Sequence, residues 1–535
     1  MKRILALLLA VLMLAVIFAG CGKKEEKKEG PKENGTQTAG EVKASDKELR
    51  VAFEVQPVSW QQLTMQVQSA NVALQIDALY DRLVGYDAKT GEITPNLATE
   101  WKWVEDTVLE MKLRDDVTSI NGDKFTANDV VYTIRQGCEE TTLDTYYKNL
   151  FDADRCKAVD DYTVDIAVKT AYPFLVLDLA HTAYQMSVEA SVEAAGGIQA
   201  TRDNPISGTG AYKMTEWVDG QYAKFERRDD YWGQMPYYKT VYAYFVNDAN
   251  TRAMGLEAGD YDIIQKPSSS ACESLGALPG FQVMYNTNEQ MVIMTLNTDR
   301  APLNVKEVRQ AMGLAINYDA ILDIACAGHG ETVDSPYSHY NQAYTPADSS
   351  KPCFLGNTDT EKAKQLLKDA GYADGFDFQI SYRSTDSVWQ KSAEIVQNNL
   401  KEIGINCTLN PVESGVFYSI SDAKDFDALI WTSNNPNPKR MIMNLDPKYP
   451  QCQAMNGWLQ DGYTDLFDKA IVELDDAKRL EYFGEINDLL RDEACIIPLV
   501  HVYNSTLMIS DIVNYGIDTY GNFNIETVYE ADYLG

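Results

Sequence analysis

The chain has 535 residues, with Lys+Arg 47 against Asp+Glu 79 and a formal net charge of −32. Hydrophobic residues make up 45% and charged residues 24%, an ordinary globular balance that excludes wholesale disorder, and the length predicts roughly two to four packed units. The acidity argues against a nucleic-acid partner, because phosphate binding needs a concentrated basic patch, and against broad docking on an anionic membrane face. Tyr outnumbers Phe, 32 to 16, a surplus that suits wet, ligand-facing surfaces.

In chain order, Lys2 and Arg3 precede an apolar run from Ile4 to Gly20 that stops at Cys21. The run is marginal for a membrane span and reads as a signal peptide over residues 1–20, with a transmembrane anchor as the alternative. The segment Phe18-Ala19-Gly20-Cys21 resembles a bacterial lipobox, with Phe18 where an aliphatic residue is usual. That resemblance implies lipidation of Cys21 and attachment to the outer face of the cell membrane. Residues 21–47, rich in alternating Lys and Glu, read as the lipidated Cys followed by a charged, disordered tether.

Short β-branched and aromatic runs predict strands at Leu49–Glu54, Thr163–Val168, Lys239–Val246, Phe376–Tyr382, Asn406–Val412 and Phe426–Thr432. Apolar residues at three- and four-residue spacing predict helices at Ala127–Gly137, Val305–Ile316, Thr360–Ala370, Trp389–Ile403 and Ala477–Arg491. Asn304-Val305 and Thr360-Glu361 read as helix starts, Gly371 and Gly404 as stops. The alternation gives an α/β or mixed α+β class, clearest as βαβ from Phe376 onward.

Enzyme motifs are missing. The chain has no G-x-x-x-x-G-K-[ST] loop, no H-E-x-x-H helix and no G-x-S-x-G elbow. Gly208-Thr209-Gly210 lacks the third glycine of a dinucleotide fingerprint and reads as a tight turn. The four histidines, His181, His329, His339 and His501, show no metal-ligand spacing on a helix; no metal or cofactor is expected. Eight cysteines remain after Cys21, an even number without C-x-x-C, so core thiols and bridges both stay open. Cys407 and Cys495 lie in apolar runs and read as core.

Several blocks then carry a resemblance. TPNLATEWKWVEDTVLEMKLRDDVTSINGDKFTANDVVYTIRQ (94–136), SGTGAYKMTEWVDGQYAKFERRDDYWG (207–233), ANTRAMGLEAGDYDII, LNTDRAPLNVKEVRQAMGLAINYDAIL and EIGINCTLNPVESGVF follow one another in order. Together they resemble bacterial extracellular solute-binding protein family 5, the ABC-importer lipoproteins that include oligopeptide-, dipeptide- and nickel-binding proteins. The resemblance implies a two-lobed, periplasmic-binding-protein-like fold with a hinge and an inserted subdomain in lobe I. Lobe I would take residues 48–88, 202–295 and 502–535, the insertion 89–201, and lobe II 296–501. The crossings would fall near Leu296-Asn297 and Leu499–His501. Taken structurally, the same blocks are scaffold: Trp101 and Trp103 as strand core, Val305–Ile316 as a packing helix.

The resemblance also implies a binding protein rather than an enzyme, with ABC permease subunits as partners and a short peptide as ligand. Ligand contacts of lobe I would follow the first strand, at Val55, Gln56 and Trp60. Those of lobe II would come from Trp431, Thr432, Ser433, Asn434, Asn435 and Asn437. Peptide-binding members carry an Asp at the position of Asn434, where it pairs with the peptide ammonium; an amide lacks that charge. Arg383 aligns with an arginine that grips the peptide carboxylate, for which its fork geometry is suited. Trp60 and Trp431 are candidate stacking platforms, with core as the alternative reading of each. An oligosaccharide is the alternative ligand, favoured by the Asn cluster and the tyrosines. An exported lipoprotein hydrolase is the alternative of a different class.

Overall fold

Three β-sheets organise the chain, each built where alternating or continuous apolar residues meet a helical face. The computed structural model describes residues 44–64, 77–87, 92–139, 147–286, 290–433, 437–439, 463–515 and 525–531. Cys21, Asn434, Asn435 and Cys452 lie outside them.

The seven-stranded sheet runs, in spatial order, Phe281–Asn286, Asn504–Ile509, Ile263–Gln265, Glu48–Phe53, Thr240–Phe245, Tyr222–Arg227 and Tyr212–Val218. Its central strand Glu48–Phe53 is parallel to both neighbours. Leu49, Val51 and Phe53 bury one face, and Ala52 packs on the other beneath helices Ala249–Ala258 and Ser269–Gly276. The six-stranded sheet runs Gly330–Glu331, Ile496–Val502, Met291–Leu296, Ala428–Ser433, Asp377–Arg383 and Asn406–Val412. Every residue of Met291–Leu296 is buried, as a central strand covered on both faces requires. The four-stranded sheet, Ala98–Glu105, Val108–Leu113, Thr163–Ala167 and Lys157–Asp160, belongs to the inserted subdomain.

The lobes exchange chain at two places. The first passage lies between Asn286 and Met291, because Met291–Leu296 is hydrogen-bonded to Ala428–Ser433 and Ile496–Val502 inside the six-stranded sheet. It therefore precedes the Leu296-Asn297 position expected from sequence. The return lies at Tyr503, between Ile496–Val502 and Asn504–Ile509. The inserted subdomain does not stand alone: its core continues onto helix Asp476–Glu493, with Phe174 and Phe483 centroids 6.2 Å apart.

Local signals behave as their chemistry dictates. Asp359, Asp386 and Asp475 cap helices Thr360–Asp369, Ser387–Glu402 and Asp476–Glu493 by accepting backbone N–H bonds. Gly371 and Gly404 follow two of these helices with φ of 86° and 90°. In Lys306–Ala315, residues Val308 through Ala315 are all buried, and Arg309 pairs with Glu493 at 2.7 Å in the interior.

Gly208 and Gly210 serve close approach rather than a turn. A Cβ on Gly208 would stand 1.9 Å from the Leu79 carbonyl oxygen, and one on Gly210 2.6 Å from that of Ala78. The same block converges on buried Asp81, which accepts from Thr209, Tyr231 and Trp232. Burial raises the Asp81 pKa, and these three bonds work against that rise.

The tyrosine expectation changes, and the cysteines take the core-thiol reading. Tyr80, Tyr147, Tyr184, Tyr212, Tyr238, Tyr318, Tyr337 and Tyr463 are among the largest fully buried side chains. A phenol is accommodated there when its hydroxyl reaches a carbonyl, as Tyr147 reaches Ala183 at 2.7 Å and Tyr212 reaches Tyr238 at 2.8 Å. Much of the tyrosine surplus is thus core. Seven cysteines are free thiols among the described residues, and burial pushes Cys407 and Cys495 up to about 12.

Candidate functional site

The expected contact residues fall into three settings. On lobe II, strand Asp377–Arg383 ends at Arg383, and Asp386 caps the next helix with Oδ1 accepting from Val388 and Trp389 at 3.1 Å each. The Arg383 guanidinium carbon lies 4.2 Å over the Trp389 ring. Trp389 donates Nε1–H to Thr432 Oγ1 at 2.7 Å, and Trp431 donates Nε1–H to Thr295 Oγ1 at 2.8 Å. Thr432 is therefore a support for Trp389, and Trp431 is half-buried against two cores. Ser433 is buried.

Arg383 itself is held but not satisfied. Its nearest carboxylate, Asp386, stands 3.9 Å away, beyond hydrogen-bond reach. Its Nε is buried without a hydrogen-bond partner among the described residues. A guanidinium fixed on an aromatic face with unused donors is chemically an anion receptor.

On lobe I, the segment after the first strand brings Glu54 and Val55 to the carboxyl end of Glu48–Phe53, next to the end of the parallel strand Ile263–Gln265. Ligands in open α/β sheets bind outside such strand ends. Lys266 follows Gln265 with φ of 47° and places Nζ 3.6 Å from Glu54 Oε2. Buried Arg252 fixes this corner by donating to the carbonyls of Val246, Asn247, Gln265 and Lys266. Solvent reaches 45% of the Lys266 side chain, yet surrounding protein lowers its pKa by desolvation, against the pull of Glu54.

Gln56 is half-buried and already engaged, its amide donating to Asp219 and its carbonyl accepting from Gly220, both at 2.7 Å. Trp60 is a correction. It is fully buried, its backbone N–H donates to the Arg202 carbonyl, its indole N–H has no hydrogen-bond partner among the described residues, and its ring packs edge-on against Trp217 and Phe225 at 6.0 and 5.6 Å. No face is left for a ligand, because the chain after Pro57 folds back onto the sheet.

Asn437 is also redirected. It is fully buried, and its amide donates to the Tyr172 hydroxyl at 2.7 Å and to Asp178 Oδ1 at 2.5 Å, both in the inserted subdomain. Tyr172 in turn donates to Asp178 Oδ2 at 2.7 Å. Lys439 lies 4.6 Å over the Tyr172 ring. This polar cluster joins the two lobes.

At the hinge, Tyr285 of the seven-stranded sheet stacks on His329 at 3.5 Å and 12°. Glu331 accepts from His501 Nδ1 at 2.8 Å and contacts His339 Nδ1 at 3.1 Å. Three of the four histidines therefore gather beside the chain crossings. Among the described residues no group of His, Cys, Asp or Glu has metal-holding geometry.

Sequence reasoning missed Glu54, Lys266, Asp386 and Trp389. The strand-end rule points to the first two, since each follows a parallel strand directly. Trp389 carried the opposite signal, reading as an apolar helix position.

Comparison with known proteins gives the family and the fold. The model of bacterial extracellular solute-binding proteins, family 5 (middle), matches residues 92–451. The probable ABC transporter periplasmic-binding protein SapA of Escherichia coli is 25% identical over 516 residues, covering 90% of this chain and 93% of that protein. The nickel-binding periplasmic protein of E. coli is 27% identical over 478 residues, covering 83% and 88%. The crystal structure of a dipeptide-binding protein from Pseudoalteromonas sp. SM9913 with Met-Leu superposes with a TM-score of 0.73 at 22% identity, covering 90% of this chain and 100% of that one.

Proposed function

Because the chain belongs to the bacterial extracellular solute-binding proteins, family 5, and so is a solute-binding protein of ABC importers, we propose that it captures short peptides between its lobes. It hands them to the permease while tethered by lipid on Cys21. The observation that carries the peptide reading is Arg383, a guanidinium held on Trp389 with its nearest carboxylate 3.9 Å away. A peptide carboxylate fits that fork with two parallel bonds. Ligand contacts made by both lobes at once would favour the closed population by hinge motion.

Relatives named for peptides, such as the dipeptide-binding protein of E. coli, support this ligand class. The oligosaccharide reading is weakened by Asn437, whose amide is committed to Tyr172 and Asp178. A thermal-shift screen of the purified chain against peptide and oligosaccharide libraries tests the choice. Peptide-specific stabilisation is expected; stabilisation by sugars alone would replace the peptide reading.

A further inference from the structure

Two rings face one another across the hinge. Tyr285, on the lobe I strand Phe281–Asn286, pairs in register with Ser505. His329 directly precedes the lobe II strand Gly330–Glu331, in which Gly330 pairs with Val502. Between those two partners lies the return crossing at Tyr503, whose backbone N–H donates to the His329 carbonyl at 3.4 Å. The Tyr285 and His329 ring centroids stand 3.5 Å apart with planes 12° from parallel, a contact with no slack. Rotation of the lobes about this crossing must tilt or part the rings.

Lobe II presents its ring on a strained turn. After helix Tyr318–Ala325, Ala327 takes φ of 53° and Gly328 takes 76°. The Gly328 and His329 N–H groups then donate to the Leu322 and Cys326 carbonyls, each at 2.9 Å. A non-glycine residue in the left-handed region costs energy, and such strain gathers where geometry matters to function.

We propose that His329 is a proton-sensitive latch of the hinge: the neutral imidazole stacks on Tyr285 and holds the lobes as they stand here, and the imidazolium lets them rotate. An imidazolium needs water that the Tyr285 face excludes, and rotation restores that water. Burial accordingly lowers the His329 pKa below its usual 6.5, with Glu273 on helix Ser269–Gly276 pulling the other way. As pH falls through the lowered value, the latch loosens. Attraction of the imidazolium to the Tyr285 ring opposes this, and its signature would be tightening in acid. The other titratable groups at the contact stay neutral in this range: burial pushes Tyr285 up to about 12 and raises Tyr503 and the Cys272 thiol. Glu331, two residues beyond His329, directs its oxygens to His501 and His339. The lobe motion that takes up and frees a solute thereby follows external acidity, whatever ligand the cleft holds.

Small-angle X-ray scattering of the full chain at pH about 7.5 and about 5.5 brackets the imidazole range, for wild type, His329→Phe and His329→Ala. The wild-type radius of gyration should rise on acidification. His329→Phe keeps a ring on Tyr285 but takes no proton, so its radius should stay constant. His329→Ala lacks the ring and should show the larger radius already at the higher pH. NMR titration of the histidine rings, with the His329 signal identified by its loss in His329→Phe, should give a midpoint below 6.5. A wild-type radius that stays constant or shrinks in acid overturns the latch. So does a His329→Phe response equal to wild type, an unperturbed His329→Ala radius, or a midpoint that is not lowered.

Discussion

Arg383 lies 4.2 Å over the ring of Trp389, and Trp389 is itself pinned by a 2.7 Å bond to Thr432. The strand that ends in Ser433 thus steadies the arginine at the end of the neighbouring strand. Arg383→Ala should weaken a carboxylate-bearing ligand by about 1.5–3 kcal/mol, the cost of one charge-assisted bond. Arg383→Lys should recover only part of it, because an ammonium lacks the bidentate fork. Titration calorimetry reads both, and unchanged affinity removes Arg383 from the site. Trp389→Leu should weaken the same ligand without touching it, through loss of the platform.

Asn437 makes a different prediction. Its amide supplies two bonds to Tyr172 and Asp178 across the lobes, in a buried setting where lost partners cost about 1–3 kcal/mol. Asn437→Ala should loosen the contact between the inserted subdomain and lobe II. Small-angle X-ray scattering of the ligand-free chain should then show a larger radius of gyration. No change in scattering or melting temperature would mean that Phe174 and Phe483 hold the lobes without it.

Trp60→Ala should act on stability rather than on the ligand. Emptying a fully buried tryptophan site costs about 3–5 kcal/mol. Chemical denaturation should report a loss of that size. A variant that keeps full stability but loses ligand binding would return Trp60 to the site.

Two groups at the hinge, His329 and Glu331, both have lowered pKa values and set a pH dependence of one sign. Desolvation lowers the His329 pKa below its usual 6.5, so the folded state binds fewer protons there than the unfolded chain. Stability contributed by His329 is full above that value and falls as pH drops toward the folded pKa. Glu331 is also lowered: desolvation raises it, but its bonds to His501 and His339 outweigh that. Its contribution is present above the usual 4.5 and is lost as pH falls further. Melting temperature should therefore decline in two stages below pH about 6.5, with the upper stage flattened in His329→Gln. A single acid transition in both proteins would contradict this assignment.

Much of the scaffold was legible in the sequence because it is written in local chemistry. Strand Asn406–Val412 and helix Thr360–Asp369 follow from β-branched runs, an Asp cap and a closing Gly371. The site was less legible, because its members are decided by what folds over them. Trp60 and Trp431 have the same side chain, the first set between Ser59 and Gln61 and the second between Ile430 and Thr432. Only the return of the chain over Trp217 and Phe225 makes the first one core. Asn437 sits in an amide-rich run that suggests sugar contacts, yet its partners come from 259 and 265 positions away. Glu54 and Lys266 were readable from their strand ends, but their pairing depends on two strands being neighbours in one sheet.

The most direct test identifies what the protein carries from the cell. Native mass spectrometry of the purified wild-type chain, followed by denaturation and sequencing of released small molecules, reads the ligand without prior choice. Short peptides with free carboxylates are predicted on the wild-type protein, sharply depleted on Arg383→Ala. Release of oligosaccharide, or the same peptide load on both proteins, would contradict the account.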